Sequence, residues 1–329
     1  MRNSIAGLLI VWLSGLGVLA PAQNPYSPLE LANAPEPARV DRVVHDAARD
    51  RDIPIRLYLP EVRTGAPVLL YSHGLGGSRE TAAYLGLHWA KRGYVAVFLQ
   101  HPGSDESLWK DRPVRERMGA LRSAADWTNL KLRIDDAKAI LDELQRLNGL
   151  QDDALCGRLD LKRVGMSGHS FGAVTTQALA GQTYPLIGSL ADPRIKAALI
   201  MSPSSPRRGD REIGKPFASV RMPWLLMTGT KDLAPIGDQD VASRLAVYEE
   251  LPPGKKYELV LDGAQHSAFT DRGLAGEKGG RNPNHHRAIL ALSTAFWDAY
   301  LREDPAAAAW LDGEEPRRIL EAADVWKRK

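Results

Sequence analysis

VGMSGHSFGA, residues 164–173, is the stretch on which the reading of this chain turns. Val164-Gly165-Met166 is an apolar, strand-like run, and a helical run follows from Ala173 to Ala180. Between them stands Gly168-His169-Ser170-Phe171-Gly172, a Gly-x-Ser-x-Gly pattern at a strand-to-helix turn. Glycines on both sides suit a turn in which strand and helix approach too closely for side chains. Such a turn lifts a serine hydroxyl above the carboxyl edge of a sheet. The start of the helix also favours developing negative charge. The pattern is short, however, and a chain with 29 glycines can carry it as an ordinary turn with a solvated serine. The surroundings decide between the two.

Outward from that turn, strand-like and helical runs alternate. Upstream, Ile55-Arg56-Leu57-Tyr58-Leu59 has period two, and Val68-Leu69-Leu70-Tyr71 is continuously apolar, as a buried parallel strand is. It runs into His73-Gly74-Leu75-Gly76-Gly77 and a helical stretch from about Arg79 to Arg92; Tyr94 to Leu99 is the next strand. Asp126 to Leu147 has helical spacing, with Leu130, Ile134, Ala137, Leu141 and Leu144 on one face. Downstream come strands at Ala197–Met201, Trp224–Met227 and Tyr257–Leu261, and a helix at Val241–Leu251. A last helix, about His286 to Leu301, is introduced by the capping sequence Asn282-Pro283-Asn284. This alternation predicts an α/β fold with a mainly parallel central sheet and helices on both faces.

Composition narrows the function class. The 329 residues, 44% of them hydrophobic, suffice for a large core, and a net charge of +3 on 43 basic and 40 acidic residues does not mark a nucleic-acid-binding protein. Arg2, an apolar run from Ile5 to about Ala20 and the small-x-small sequence Ala20-Pro21-Ala22 have the order of a cleaved signal peptide. The run is shorter than the ~20 residues of a spanning helix. The expected layout is a signal peptide at 1–22, a flexible lead at 23–37 and a single α/β domain at 38–329. The chain would then be exported, to the periplasm or beyond, without stable membrane insertion after processing. Cys156 is the one cysteine, so no intramolecular disulfide forms.

A serine nucleophile needs a base, usually histidine. In the strand order implied here the acid and then the histidine follow the serine. Three histidines do so: His266, His285 and His286. The last two open a helix, where solvated polar residues are common. His266 follows a strand through the turn Asp262-Gly263-Ala264-Gln265, at the sheet's carboxyl edge, and is the preferred base. Asp232 ends the preceding strand and is the preferred acid; Asp210, Asp238 and Asp240 fall in polar loops, and Asp262 is only four residues from His266. Fixed donors for an oxyanion would be the backbone N–H of Phe171 and one from the loop His73–Gly77, with Leu75 the choice.

Tyr71-Ser72-His73-Gly74-Leu75-Gly76-Gly77, Gly93 to His101 and Gly168-His169-Ser170-Phe171-Gly172 resemble the platelet-activating-factor acetylhydrolases and, more broadly, bacterial dienelactone-hydrolase-like and polyester-hydrolase-like α/β-hydrolases. The resemblance spans about residues 40–301 and is strongest in the first half. It implies an α/β-hydrolase fold, a serine hydrolase of esters without metal or cofactor, Ser170 as nucleophile and the Leu75 and Phe171 amides as oxyanion donors. In the animal acetylhydrolases the acid follows the strand that here ends in Ile200-Met201, and Ser202-Pro203-Ser204-Ser205 holds no carboxylate. Asp232, one strand later, matches the bacterial branch.

Ser202 to Arg221 is too short for a large cap domain. The longer loop Pro102–Ala125, through Trp109, is expected to form one wall of the substrate pocket with Leu233, Phe269 and Trp127; core packing is the competing role for these aromatics. Lys110, Arg112, Arg115 and Arg117 read as a solvated run or as an attractor of anionic substrates. The leading function is hydrolysis of a small-molecule, lipid or polymer ester through an acyl-enzyme. A peptidase or acyltransferase on the same side chains is the alternative, as is an inactive binding protein on a hydrolase scaffold.

Overall fold

A computed structural model of the chain describes residues 26–31, 35–206, 215–274, 277 and 280–329. The expected signal peptide and Asp210 lie outside the described residues. Eleven strands are present among those described: β1 (Ala38–Asp46), β2 (Arg51–Leu59), β3 (Ala66–Ser72), β4 (Val95–Leu99), β5 (Leu159–His169), β6 (Thr183–Tyr184), β7 (Gly188–Ser189), β8 (Ile195–Met201), β9 (Trp224–Lys231), β10 (Lys256–Gln265) and β11 (Val325–Arg328). Nine of them form one sheet in the order β1-β2-β4-β3-β5-β8-β9-β10-β11, and β6 and β7 form a small hairpin apart. The pairs from β4 through β10 are parallel; β1, β2 and β11 run antiparallel at the edges. This is the α/β-hydrolase fold.

The core follows from strand periodicity. On β3, Leu69 and Tyr71 point into the layer that holds α1 (Ala83–Lys91) and the long helix Pro283–Leu301, while Val68 and Leu70 point into the layer of the helix Trp127–Asn148. Every residue of β3 and of β4 is buried, which is why both runs are apolar without alternation. We number the helices after α1 as α2 (Val114–Ala124), α3 (Trp127–Asn148), α4 (Phe171–Leu179), α5 (Val241–Glu250), α6 (Pro283–Leu301) and α7 (Pro305–Asp312). The Asp126 carboxylate caps α3 by accepting from the Asn129 amide, and Asn282 caps α6, with Pro283 in its first turn.

Four features depart from the sequence reading. The segment 102–125 is not simply a loop: it contains α2, a helix too polar and exposed to show a buried stripe. The helix ending at Leu301 is not the last element, because α7 and then β11 follow and extend the sheet beyond β10. The stretch 262–265 is not a free turn but the end of β10, which continues past an irregularity between Leu261 and Gln265. Residues 26–31, expected in a flexible lead, are docked: the Tyr26 hydroxyl donates to Asp298 at 2.7 Å, and Arg92 donates to the Glu30 carbonyl at 2.9 Å.

Candidate active site

Three consecutive parallel strands and the next beyond them end at one rim, and their ends carry the chemistry. β5 stops at His169, and Ser170 follows with φ 57° and ψ −116° as the N-cap of α4. Its amide donates to the Met201 carbonyl at the end of β8, at 3.0 Å. No larger residue replaces the flanking glycines without collision: a Cβ on Gly168 would lie 2.2 Å from the Gly172 carbonyl oxygen, and one on Gly172 would lie 1.9 Å from that of Ser72. β9 delivers Asp232 just past its end, and β10 delivers His266.

The structure brings these three side chains together. His266 Nε2 lies 2.9 Å from Ser170 Oγ, and His266 Nδ1 lies 2.6 Å from Asp232 Oδ1. Asp232 is fully buried, and burial pushes its carboxyl up; the His266 hydrogen bond and the Arg244 charge outweigh this and hold it at about 2. An ionised carboxylate there can only accept, so Nδ1 of His266 carries the proton and Nε2 offers its lone pair to the serine hydroxyl. The other Asp232 oxygen accepts from Thr228 Oγ1 at 2.9 Å. Ser170 is partly exposed, whereas His266 is buried, so a reactant meets the hydroxyl before the ring.

The other candidates lie elsewhere. His285 Nε2 pairs with the Asp262 carbonyl, His286 stacks on Tyr84 at 3.9 Å, and the Asp262 carboxylate accepts from Thr230. Asp240 caps α5, and Asp238 is exposed. The loop after β3 sits against Ser170, since a Cβ on Gly74 would approach Ser170 Cβ at 3.4 Å. Among the described residues, neither the Leu75 nor the Phe171 amide donates to a protein acceptor.

The expected pocket wall changes on contact with the structure. Trp109 is half-buried beside the loop, and its indole N–H donates to the Gly76 carbonyl at 2.7 Å, so it ties the loop from outside. Leu233 is 62% exposed next to Asp232. Phe269 is a correction: it is fully buried in the core beneath His169, with ring centroids 5.8 Å apart, and presents no surface to a ligand. Trp127 is exposed at the start of α3 and packs edge-on against Tyr184. Lys110, Arg112 and Arg115 are exposed, with Lys110 and Arg115 paired to Glu106 and Glu116, and Arg117 lies 5.8 Å from the Trp109 ring.

Sequence reasoning missed several groups. Arg244 of α5 is buried behind the Asp232–His266 pair; it donates to the Asp232, Ser202 and Pro203 carbonyls and stands 3.2 Å from Asp232 Oδ1. His169 Nε2 contacts the His266 carbonyl at 2.9 Å, and burial holds that ring neutral, with a pKa of about 3. A second serine–histidine–aspartate set lies under the first: Ser72 Oγ to His101 Nε2 at 2.9 Å, and His101 Nδ1 to Asp136 at 3.0 Å. All three are fully buried, so geometry without access makes that set structural. Arg133 and Asp136 share the buried face of α3 with Leu130, Ile134 and Ala137, and Arg244 shares one with Val247 and Tyr248. A charged residue at the spacing of an apolar stripe was the available signal.

Residues 123–278 match the family of PET hydrolase-like proteins, a segment that holds Ser170, Asp232 and His266. Over 214 residues the chain is 27% identical to Cutinase 2 of Thermobifida cellulosilytica, covering 64% of this chain and 64% of that protein. It is equally similar to a cutinase of Thermobifida fusca, of which 53% is covered. A platelet-activating factor acetylhydrolase of Cavia porcellus is 27% identical over 134 residues, 33% of this chain and 30% of its own. The alignments thus span less than two thirds of each relative's length. Sheet order, the strained serine turn and these likenesses together identify the chain as a member of the α/β-hydrolase superfamily.

Proposed function

We propose that the protein is a serine hydrolase that cleaves carboxylic esters through an acyl-enzyme. Ser170 Oγ attacks the ester carbonyl as its proton passes to His266 Nε2, and Asp232 stabilises the resulting imidazolium. The Leu75 and Phe171 amides receive the oxyanion. Collapse of the tetrahedral intermediate expels the alcohol with the proton from His266, and a water molecule activated by the same ring then releases the acid and restores the serine. The observation that carries the reading is the continuous hydrogen-bonded row from a partly exposed Ser170 through His266 to a buried, ionised Asp232. The PET hydrolase-like match and the cutinase relatives favour polymeric or lipid esters over small ones. Export also belongs to this reading, supported by the residue order at 1–22, as does a single catalytic domain at 38–329. None of the described helices is long and apolar enough to cross a membrane.

The test is cleavage of a p-nitrophenyl acyl ester, with a pre-steady-state burst of p-nitrophenol that counts acylated sites. Ser170→Ala is expected to lower turnover by about 10⁴-fold or more and to abolish the burst. An unimpaired Ser170→Ala enzyme overturns the proposal. Acid release from a polyester film, compared with a soluble ester, then reads the substrate class.

A further inference from the structure

Beneath the loop that holds Leu75 lies a buried set of groups that the acyl-enzyme mechanism leaves unused. His73 is fully buried and flanked on both ring nitrogens. The His101 backbone N–H donates to His73 Nε2 at 3.2 Å, so the ring proton sits on Nδ1, and Nδ1–H donates to the Gly74 carbonyl at 2.6 Å. Burial, and after it the Arg133 charge, hold this imidazole well below its ordinary pKa, which keeps it neutral and in that tautomer. Arg133, fully buried on α3, donates to the His73 carbonyl at 2.6 Å, to Ser104 Oγ at 2.8 Å and to the Ser104 carbonyl at 3.1 Å, with a weaker approach of 3.5 Å to the Gly74 carbonyl. Its guanidinium carbon also stands 4.5 Å from the centroid of the Phe171 ring.

The His73 ring and the longer approach of Arg133 both reach the Gly74 carbonyl, which also accepts from the Gly77 backbone N–H at 3.0 Å. The carbonyl of Gly74 and the amide of Leu75 belong to the same trans peptide, so they point in opposite directions. A carbonyl drawn toward His73 and Arg133 turns the Leu75 N–H the opposite way, and Gly74 itself lies against Ser170, where an added Cβ would stand 3.4 Å from Ser170 Cβ. A hydrogen bond accepted by the carbonyl polarises the peptide and makes its N–H a stronger donor. The same cation braces Phe171, whose amide is the second donor.

We propose that His73 and Arg133 are positioning residues for oxyanion stabilisation: the His73 Nδ1–H and the Arg133 guanidinium orient and polarise the Gly74–Leu75 peptide, and Arg133 fixes Phe171 beside it. The inference rests on the ester-hydrolase reading and deepens it. Its effect appears only as charge develops on the carbonyl oxygen, so it raises kcat and leaves ground-state binding alone.

The experiment compares His73→Leu with His73→Asn, and Arg133→Met with Arg133→Lys. Asparagine places an amide N–H near the position of Nδ1, and lysine keeps the charge without the fork. Turnover is measured per burst-titrated site on a p-nitrophenyl ester, beside the inhibition constant of an alkyl boronic acid, whose serine adduct carries a tetrahedral anion. His73→Leu and Arg133→Met are expected to lose about 10- to 100-fold in kcat with KM within about twofold, less than the ~10²–10³ that follows outright loss of a donor. Boronate affinity is expected to weaken in step with kcat/KM, and His73→Asn to recover most of the loss. Unchanged kcat per titrated site, with only a lower melting temperature or active fraction, overturns the proposal, as does equal damage from Leu and Asn. If Arg133→Met does not fold, the His73 pair decides. A wild-type enzyme without a Ser170-dependent burst removes the hydrolase reading and this inference with it; a normal wild-type burst with unimpaired variants removes this inference alone.

Discussion

Ser170 occupies a backbone conformation that L-residues avoid, at φ 57°, and such strain costs on the order of 1–3 kcal/mol. The turn persists because its neighbours leave the chain no other path: Gly168 and Gly172 lie in contact with backbone, and the Ser170 amide is tied to Met201. The glycines around Ser170 therefore divide into two kinds. Gly172→Ala drives a carbon to 1.9 Å from the Ser72 carbonyl, and is expected to destabilise the protein by about 3 kcal/mol or more. Gly74→Ala meets its nearest atoms at 3.4 Å, so it should fold with a nearly unchanged melting temperature. Thermal unfolding of the two variants checks this; a Gly172→Ala protein as stable as wild type refutes the account of the turn. Gly-x-Ser-x-Gly announced this turn in the sequence because the backbone approach permits no other residue at the flanks. Arg133 and Arg244 were announced only by a charge within an apolar helical stripe, since their partners are mostly carbonyls from distant segments.

β9 and β10 bring Asp232 and His266 to the rim, and the way they meet is unusual. A regular parallel pair holds up to Gly229 opposite Leu261; then β10 gains residues before Gln265 pairs with Lys231. Gly263 takes φ 69° in the irregularity, and Ala264 folds so closely over β9 that a Cβ on Gly229 would fall 2.2 Å from the Ala264 carbonyl oxygen. A bulge of this kind re-aims the side chains beyond it, here that of His266. Gly229→Ala is therefore expected to push β10 away from β9 and to separate His266 from Asp232. A displacement of about 1 Å costs on the order of 10²-fold in turnover. Turnover per folded molecule checks this, and a wild-type rate would show that the close approach does not set the His266–Asp232 distance. Period-two and continuous apolar runs located the central strands, since burial on both faces dictates them. They passed over β1, exposed along most of its length, and α2, which buries only Ala124, because neither carries a buried pattern to read. The bulge escaped for another reason: Asp262-Gly263 reads as a turn whether or not the strand resumes beyond it.

With one free cysteine, Cys156, the fold depends on its core, and that core contains ionisable groups. Four buried histidines are held neutral: burial lowers His88 and His101 to about 4, His169 to about 3, and His73 well below its ordinary value. Unfolding returns each to the solvent, where it titrates near 6.5. Between about pH 6.5 and 4 the unfolded chain thus binds up to four more protons than the folded one. Each proton lowers stability by ~1.4 kcal/mol per pH unit in that window, and the loss runs in one direction, downward with pH. Asp136 and Asp232, both held at about 2, extend the decline below pH 3.8 as their unfolded counterparts protonate first. His286, also lowered by burial, adds to the decline, while His45, raised by its Asp52 partner, and Glu258 and Asp271, raised by burial, oppose it. Denaturant midpoints at pH 7, 6 and 5 are expected to fall progressively with acid. His88 lies on α1 and bonds Thr294 Oγ1 at 3.0 Å, with no contact to Ser170, Asp232 or His266, so His88→Gln isolates one of the four. That variant should flatten the pH dependence by about one proton while the ester burst stays intact. A wild-type midpoint that does not move between pH 7 and 5 would mean that the buried imidazoles already carry their protons, and the neutral tautomer assigned to His73 would fall with it.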